Sequence, residues 1–213
     1  EKNLYINAKK GSEFEDRIAA YLKQTMGFSR ILKADILAED WVLIKKHIGN
    51  KFGDKFLEIP SNNLKRTFIY QPYGSEELFY FIIFTDKKIV PLEIKFSAQS
   101  QSKPIWNSNV PRASAFYIFG SYGLKDITFF CGADVLARKH RKGLYGFFAG
   151  IQALQDKIRL DMPALDITNR GFTPYIRSAF DQRKHKPSVE TSFFAHPKRT
   201  KVENLAIKKL RDL

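Results

Sequence analysis

The chain has 213 residues, 44% hydrophobic and 27% charged, with 36 Lys and Arg against 22 Asp and Glu, a formal net charge of +14. This length supports one domain with a real core, and the composition excludes wholesale disorder. No apolar run approaches the ~18 residues of a membrane span, and the single cysteine, Cys131, excludes an internal disulfide and a Cys-rich zinc site. Glu1-Lys2-Asn3-Leu4-Tyr5 lacks the apolar stretch of a signal peptide, so a reducing cytoplasm is the expected compartment.

Residues 11–25 read as a helix. Ser12 and Glu15 have the spacing of a capping box, and Phe14, Ile18 and Leu22 form an apolar stripe. Residues 34–48 predict a second helix with Trp41, Ile44 and Ile48 on one face, closed by Asn50 and Gly53. The cluster Pro60-Ser61-Asn62-Asn63 marks a loop. The period then changes. Residues 78–84 are aromatic and β-branched, residues 85–88 are a polar turn, and residues 89–96 are a second strand, so the pair predicts a hairpin. Strands follow at 115–119 and 127–131. Residues 144–160 predict a helix, weakened by Gly146 and Gly150. Residues 161–200 predict long loops with short strands, and residues 202–213 a short amphipathic helix. Helices, then strands, then helix predict a single α/β domain over 1–213 with a mixed central sheet, its hairpin flanked by the first helix on one side and the 144–160 helix on the other.

Charge is uneven along this order. Leu136 to Leu213 holds 17 basic and 7 acidic residues, a net of +10, whereas the first 135 residues hold 19 and 15, a net of +4. Such a concentration suits a polyanion, and nucleic acid leads because each neutralised phosphate releases counterions. A solvated cationic surface without a partner would look the same.

The informative triplet is Glu93-Ile94-Lys95. On a strand, Glu93 and Lys95 share one face while Leu92, Ile94 and Phe96 take the other. A surface strand with an alternating charged face would carry the same triplet, so its surroundings matter. Gln71-Pro72-Tyr73-Gly74-Ser75 precedes the hairpin; Lys103-Pro104-Ile105-Trp106-Asn107, Pro111 and Tyr117-Ile118-Phe119 follow it. Over residues 71–120 the sequence resembles the PD-(D/E)XK nuclease superfamily, in particular a group of type II restriction endonucleases. Gly11, Phe14, Glu15 and Leu22 are similar to that group's first-helix pattern, and Asn169-Arg170-Gly171-Phe172 with Tyr175-Ile176-Arg177 extend a looser match.

The resemblance implies a restriction-endonuclease-like fold and Mg²⁺-dependent, site-specific hydrolysis of double-stranded DNA by a homodimer. It implies that Glu93 and the main-chain carbonyl of Ile94 bind the metal and that Lys95 orients water or neutralises the transition state. The sequence departs from the pattern where the family has Pro-Asp, because Phe79 and Tyr80 stand there. Three readings stay open. Glu76 or Glu77 supplies the second carboxylate; Glu15 supplies it from the first helix; or the site has lost its metal and the chain is a DNA-binding relic. A structure-specific repair nuclease on the same fold is a further alternative. The expected phosphate contacts are Arg138, Arg141 and Lys142, the expected groove or base contacts are Lys103, Asn107, Asn169, Arg170 and Arg177, and no membrane partner is expected.

Overall fold

A computed structural model of the chain describes residues 8–74, 79–99, 103–104, 106–107, 109–165, 168, 170–176, 179–180 and 191–213, with the side chains of 107 and 179 left aside. The elements in chain order are α1 (Gly11–Gln24), β1 (Ser29–Arg30), α2 (Ala38–Gly49), β2 (Leu57–Glu58), β3 (Thr67–Tyr70), β4 (Phe81–Phe84), β5 (Lys88–Ser97), β6 (Trp106–Asn107), β7 (Phe116–Ser121), β8 (Asp126–Cys131), α3 (Gly132–Val135), α4 (Arg138–Leu165), β9 (Ala179–Phe180) and α5 (Arg199–Arg211). The protein is an α/β domain with a mixed seven-stranded sheet in the order β1-β3-β4-β5-β7-β8, with β2 on β5, and a two-stranded ribbon of β6 and β9.

The expected hairpin is β4 and β5, antiparallel with Phe81 opposite Leu92 and Phe84 opposite Ile89. β5 then pairs in parallel with β7, which places Glu93 beside Tyr117 and Lys95 beside Phe119. Alternation sends Leu92 and Ile94 into a core with Phe14, Ile18 and Leu22 of α1. The other face carries Ile69, Ile82, Phe84, Ile89, Tyr117 and Phe130, covered by Ile44 and Ile48 of α2. Each such fully buried side chain contributes roughly 1.5–3 kcal/mol of transfer free energy. Two layers of helix around one hydrophobic sheet follow from this two-sided burial. Among the described residues no helix is long and apolar enough to cross a membrane.

Four expectations are corrected. The α1 N-cap is Lys10 without a side-chain cap; Glu13 accepts a hydrogen bond from the Lys9 N–H at 2.8 Å instead, which leaves Glu15 for another partner. The sheet face expected to receive the 144–160 helix is covered by α2. That helix runs from 138 to 165 and binds loops, with Tyr145 edge-on to Phe52 and Phe148 edge-on to Phe180 of β9. The early part of the 161–200 region therefore belongs to α4 and not to a loop. β3 is a strand the pattern reading missed: it is only four residues long and follows directly on a turn.

Gly120 sets how closely α1 approaches. A Cβ there would stand 2.8 Å from the Phe14 ring, so only glycine admits that ring against β7. This contact fixes the height of α1 over the sheet and with it the position of Glu15, the next residue along.

Candidate active site

The end of β5 brings the predicted pair together. Glu93 is 3% exposed and Lys95 partly exposed. The Lys95 ammonium lies 2.9 Å from Glu93 Oε1, and the Phe79 N–H donates to Glu93 Oε2 at 2.8 Å. A carboxylate this deep costs several kcal/mol unless compensated. The adjacent ammonium and amide supply that compensation, so the pair is a built feature and not an alternating surface strand. The ammonium also sits 5.4 Å from the centre of the Trp106 ring, on β6.

Backbone strain surrounds this carboxylate. Phe79 has φ 72° and Gln71 φ 49°, both in the left-handed region that costs non-glycine residues of order 1 kcal/mol or more. The Gln71 N–H donates at 2.7 Å to the carbonyl of Tyr80, the residue after Phe79, and so ties the two turns together where β3 and β4 meet the site. The twist at Phe79 aims its N–H at Glu93. It also sends the Phe79 side chain into the α2-side core and the Tyr80 side chain toward the α1-side core.

A second carboxylate arrives from α1. Glu15 is 7% exposed, and its Oε2 accepts from the Tyr70 hydroxyl at 2.8 Å; the Gln71 amide donates to that hydroxyl at 3.0 Å. Burial raises the Glu15 carboxyl above the ordinary glutamate range. The Tyr70 and Gln71 hydrogen bonds oppose the rise, and the charges of Asp16 and Glu93 add to it. Tyr80, at the position where the resemblance expects aspartate, feels both carboxylates: burial first, then Glu15, then Glu93, raise its phenol above the usual range. At neutral pH it is a neutral O–H and not an anionic ligand.

Glu93, Lys95, Ile94 and Glu15 thus gather at one end of the hairpin, with Ile94 itself buried opposite Ile118 of β7. Tyr70 and Gln71, which hold Glu15, escaped the sequence reading as site residues. The Gln71-Pro72 segment was the available signal for one of them; nothing singled out Tyr70. Glu76, Glu77, Asn169 and Arg177 lie outside the described residues. Carboxylates and main-chain carbonyls are the hard oxygen donors that Mg²⁺ takes. Glu15 and Glu93 are donors of that kind, and the charge of Glu93 is the smallest of the causes that raise the Glu15 carboxyl. Among the described residues no group of three or more His, Cys, Asp or Glu side chains is placed to hold a metal ion.

The proposed nucleic-acid contacts fare unevenly. Lys103 is half-buried between β5 and β6, and the Asn107 backbone pairs with Ala179 of β9. Lys142 and Arg170 are exposed. Arg138 is exposed and pairs with Asp54 at 3.1 Å. Arg141 is a correction. It is 1% exposed and donates to the carbonyls of Pro111 and Leu136 and, at 3.3 Å, to Asp54. Its guanidinium closes three loops and cannot reach a phosphate. His196 accepts from the Lys198 N–H at 3.0 Å and closes a turn. No protein-family model, curated protein or solved structure matches the chain.

Proposed function

We propose that the chain is a nuclease of the PD-(D/E)XK kind that cleaves double-stranded DNA at a specific sequence, as a homodimer and with Mg²⁺. The observation that carries the reading is the Glu93–Lys95 pair, buried on one strand face and approached by a second carboxylate from α1. Glu93, Glu15 and the Ile94 carbonyl would hold the cation, which when bound supplies Lewis-acid polarisation of the phosphate. Lys95 would leave Glu93 for the reacting phosphate, where a positioned ammonium offsets developing negative charge. Trp106 limits where that ammonium can swing. Tyr80 would donate its O–H to whichever carboxylate or phosphate oxygen the metal leaves uncovered.

The test is digestion of a plasmid with and without Mg²⁺, by the wild-type chain and by Glu93→Gln. Discrete fragments that require both the metal and Glu93 are expected. Smears or nicks would point instead to a nonspecific or repair nuclease.

A second reading has its own supporting observation. Both oxygens of Glu93 are engaged, by Lys95 and by the Phe79 N–H, and the neighbouring position holds a tyrosine. A DNA-binding protein without hydrolytic activity fits that closed arrangement. Binding without cutting under any divalent metal would establish it.

A further inference from the structure

Two rows of side chains cross the sheet from the Glu93–Lys95 pair to the edge strand β8. Glu93 is level with Tyr117 and then Phe130, and Lys95 with Phe119 and then Thr128. Directly paired residues share a face, so these side chains stand on one side of the sheet. At ~4.8 Å per strand, Thr128 lies about 10 Å from Lys95. There Thr128 and Phe130 line a cavity of about 260 Å³, closed by Val135 of α3, Val202 of α5 and the chain around Ser192 and His196. Phe130 and Phe193 are stacked, with ring centres 4.7 Å apart, and give the cavity an aromatic wall. Asp134 gives it an acceptor. Its Oδ1 accepts from the Lys209 ammonium, which offsets its charge, while its Oδ2 is buried with no hydrogen-bond partner among the described residues. Ser192 and His196 give it donors. The Ser192 hydroxyl accepts from the N–H groups of Phe194 and Ala195 and keeps its own proton to donate. His196 accepts at Nδ1, so its neutral ring carries the proton on Nε2. Lys198 is exposed on the rim and has no ion pair among the described residues. Arg199 also lines the cavity, but its guanidinium is committed to Asp126, Glu203 and the carbonyls of Phe194 and Ile127.

We propose that this cavity binds a single nucleotide, with its base on the aromatic wall and its phosphate on Lys198. A buried polar atom without a partner calls for one, and an N–H of the base supplies it to Asp134 Oδ2. Other ligand classes fit less of the site. An apolar molecule would leave that oxygen unpaired. A bare anion would make no use of the rings. A metal ion would find one carboxylate, already shared with Lys209. A nucleobase joins a stacking face, an N–H donor and acceptors for Ser192 and His196 in one flat molecule. The nucleotide is either free or part of a strand, with its base swung out of the stack. The span from Lys95 is about 10 Å, roughly three steps of a duplex strand at ~3.4 Å each, so a strand with a phosphate at Lys95 reaches the cavity within a few nucleotides. Only the strand as source rests on the nuclease reading; the cavity and its chemistry do not.

The experiment is isothermal titration calorimetry of the full chain, without Mg²⁺, against each deoxynucleoside 5′-monophosphate and against inorganic phosphate. At least one monophosphate should bind with a Kd of ~1 mM or below, and inorganic phosphate at least ~10-fold more weakly. Lys198→Gln and Asp134→Asn should each weaken the monophosphate at least ~10-fold, with unchanged circular dichroism. Lys142→Gln removes an exposed cation outside the cavity and should leave the binding as it is. A short single-stranded oligonucleotide then separates the sources. Competition with the monophosphate, weakened by Asp134→Asn, assigns the cavity to a strand; no competition assigns it to a free nucleotide. Failure of every monophosphate to bind, binding no tighter than that of inorganic phosphate, or binding indifferent to both cavity variants would overturn the proposal and leave the nuclease reading standing. A chain that binds the nucleotide in this way and never cuts DNA would lose the nuclease reading and keep the site.

Discussion

Glu93 and Lys95 depend on each other. Lys95→Ala leaves a carboxylate that is 3% exposed with only the Phe79 N–H for company. We expect this variant to lose cleavage and also to lose about 3 kcal/mol of stability, because an uncompensated buried charge is left behind. The double variant Glu93→Gln, Lys95→Met should recover most of that stability and none of the activity. Urea unfolding beside plasmid digestion separates the two effects; equal stability of the single and double variants would contradict the buried-pair account. Glu15 behaves in the opposite sense. Its carboxyl is raised above its ordinary 4.5, mainly by burial, so the folded state holds the proton more tightly than the unfolded chain. Its contribution to stability therefore falls as pH rises through the ordinary glutamate value to the raised one, and stays lost above it. Glu15→Gln should remove that fall and match or exceed wild-type stability at neutral pH, while raising the Mg²⁺ concentration needed for cleavage. Thermal unfolding of both proteins from acid to neutral pH measures it. A variant less stable than wild type at neutral pH would assign Glu15 a structural role.

At the scale of elements, Gly120 and α1 make the sharpest case. Gly120→Ala would press a methyl group into the Phe14 ring, and overpacking of this kind costs roughly 1–3 kcal/mol. Because Glu15 follows Phe14, cleavage should fall by more than the lost stability explains; a purely proportional loss would mean that α1 does not position the site. Arg141→Ala tests the corrected arginine. It should destabilise by about 2–4 kcal/mol through the orphaned Pro111 and Leu136 carbonyls, with Asp54 keeping Arg138, yet leave the salt dependence of DNA binding unchanged. Much of this architecture was legible in advance. The apolar stripe of Phe14, Ile18 and Leu22 and the alternation of Leu92, Glu93, Ile94 and Lys95 are local patterns that survive folding. What escaped was non-local. Nothing in the chain order says that Tyr70 will stand beside Glu15, that α2 will cover the second sheet face, or that an arginine within a basic run will turn inward. The left-handed turn at Phe79 was equally hidden, since phenylalanine carries no local signal for it.

For the whole molecule, the charge excess narrows once partners are drawn. Arg141 is buried, Arg199 is bound by Asp126 and Glu203, and Lys209 pairs with Asp134. These cations of the C-terminal third are spent inside the fold: Arg141 on loops, Lys209 on α3 and Arg199 on the edge strand β8. The Arg199 guanidinium is held well above its ordinary range, with the Asp126 hydrogen bond the largest cause. The exposed remainder, including Lys142 and Arg170, is where the proposed DNA contacts would have to lie. If about six phosphates are engaged, log K should fall against log salt with a slope near −5. Charge reversal at Lys142 should reduce that slope by about one, whereas Arg170→Ala should change sequence discrimination. A flat salt titration would remove DNA as the partner.

The contact between Trp106 and Lys95 makes the site optically visible. The chain has two tryptophans, and Trp41 packs near Tyr73 rather than at the Glu93 carboxylate. With Trp41→Phe, emission comes from an indole whose ring is 5.4 Å from the ammonium and edge-on to Tyr117. A cation close to the ring shifts and quenches indole emission, so any departure of the ammonium from Glu93 becomes a change in colour and intensity. Stopped-flow fluorescence on mixing with Mg²⁺ and DNA would then time the opening of the Glu93–Lys95 pair that the proposed reaction requires.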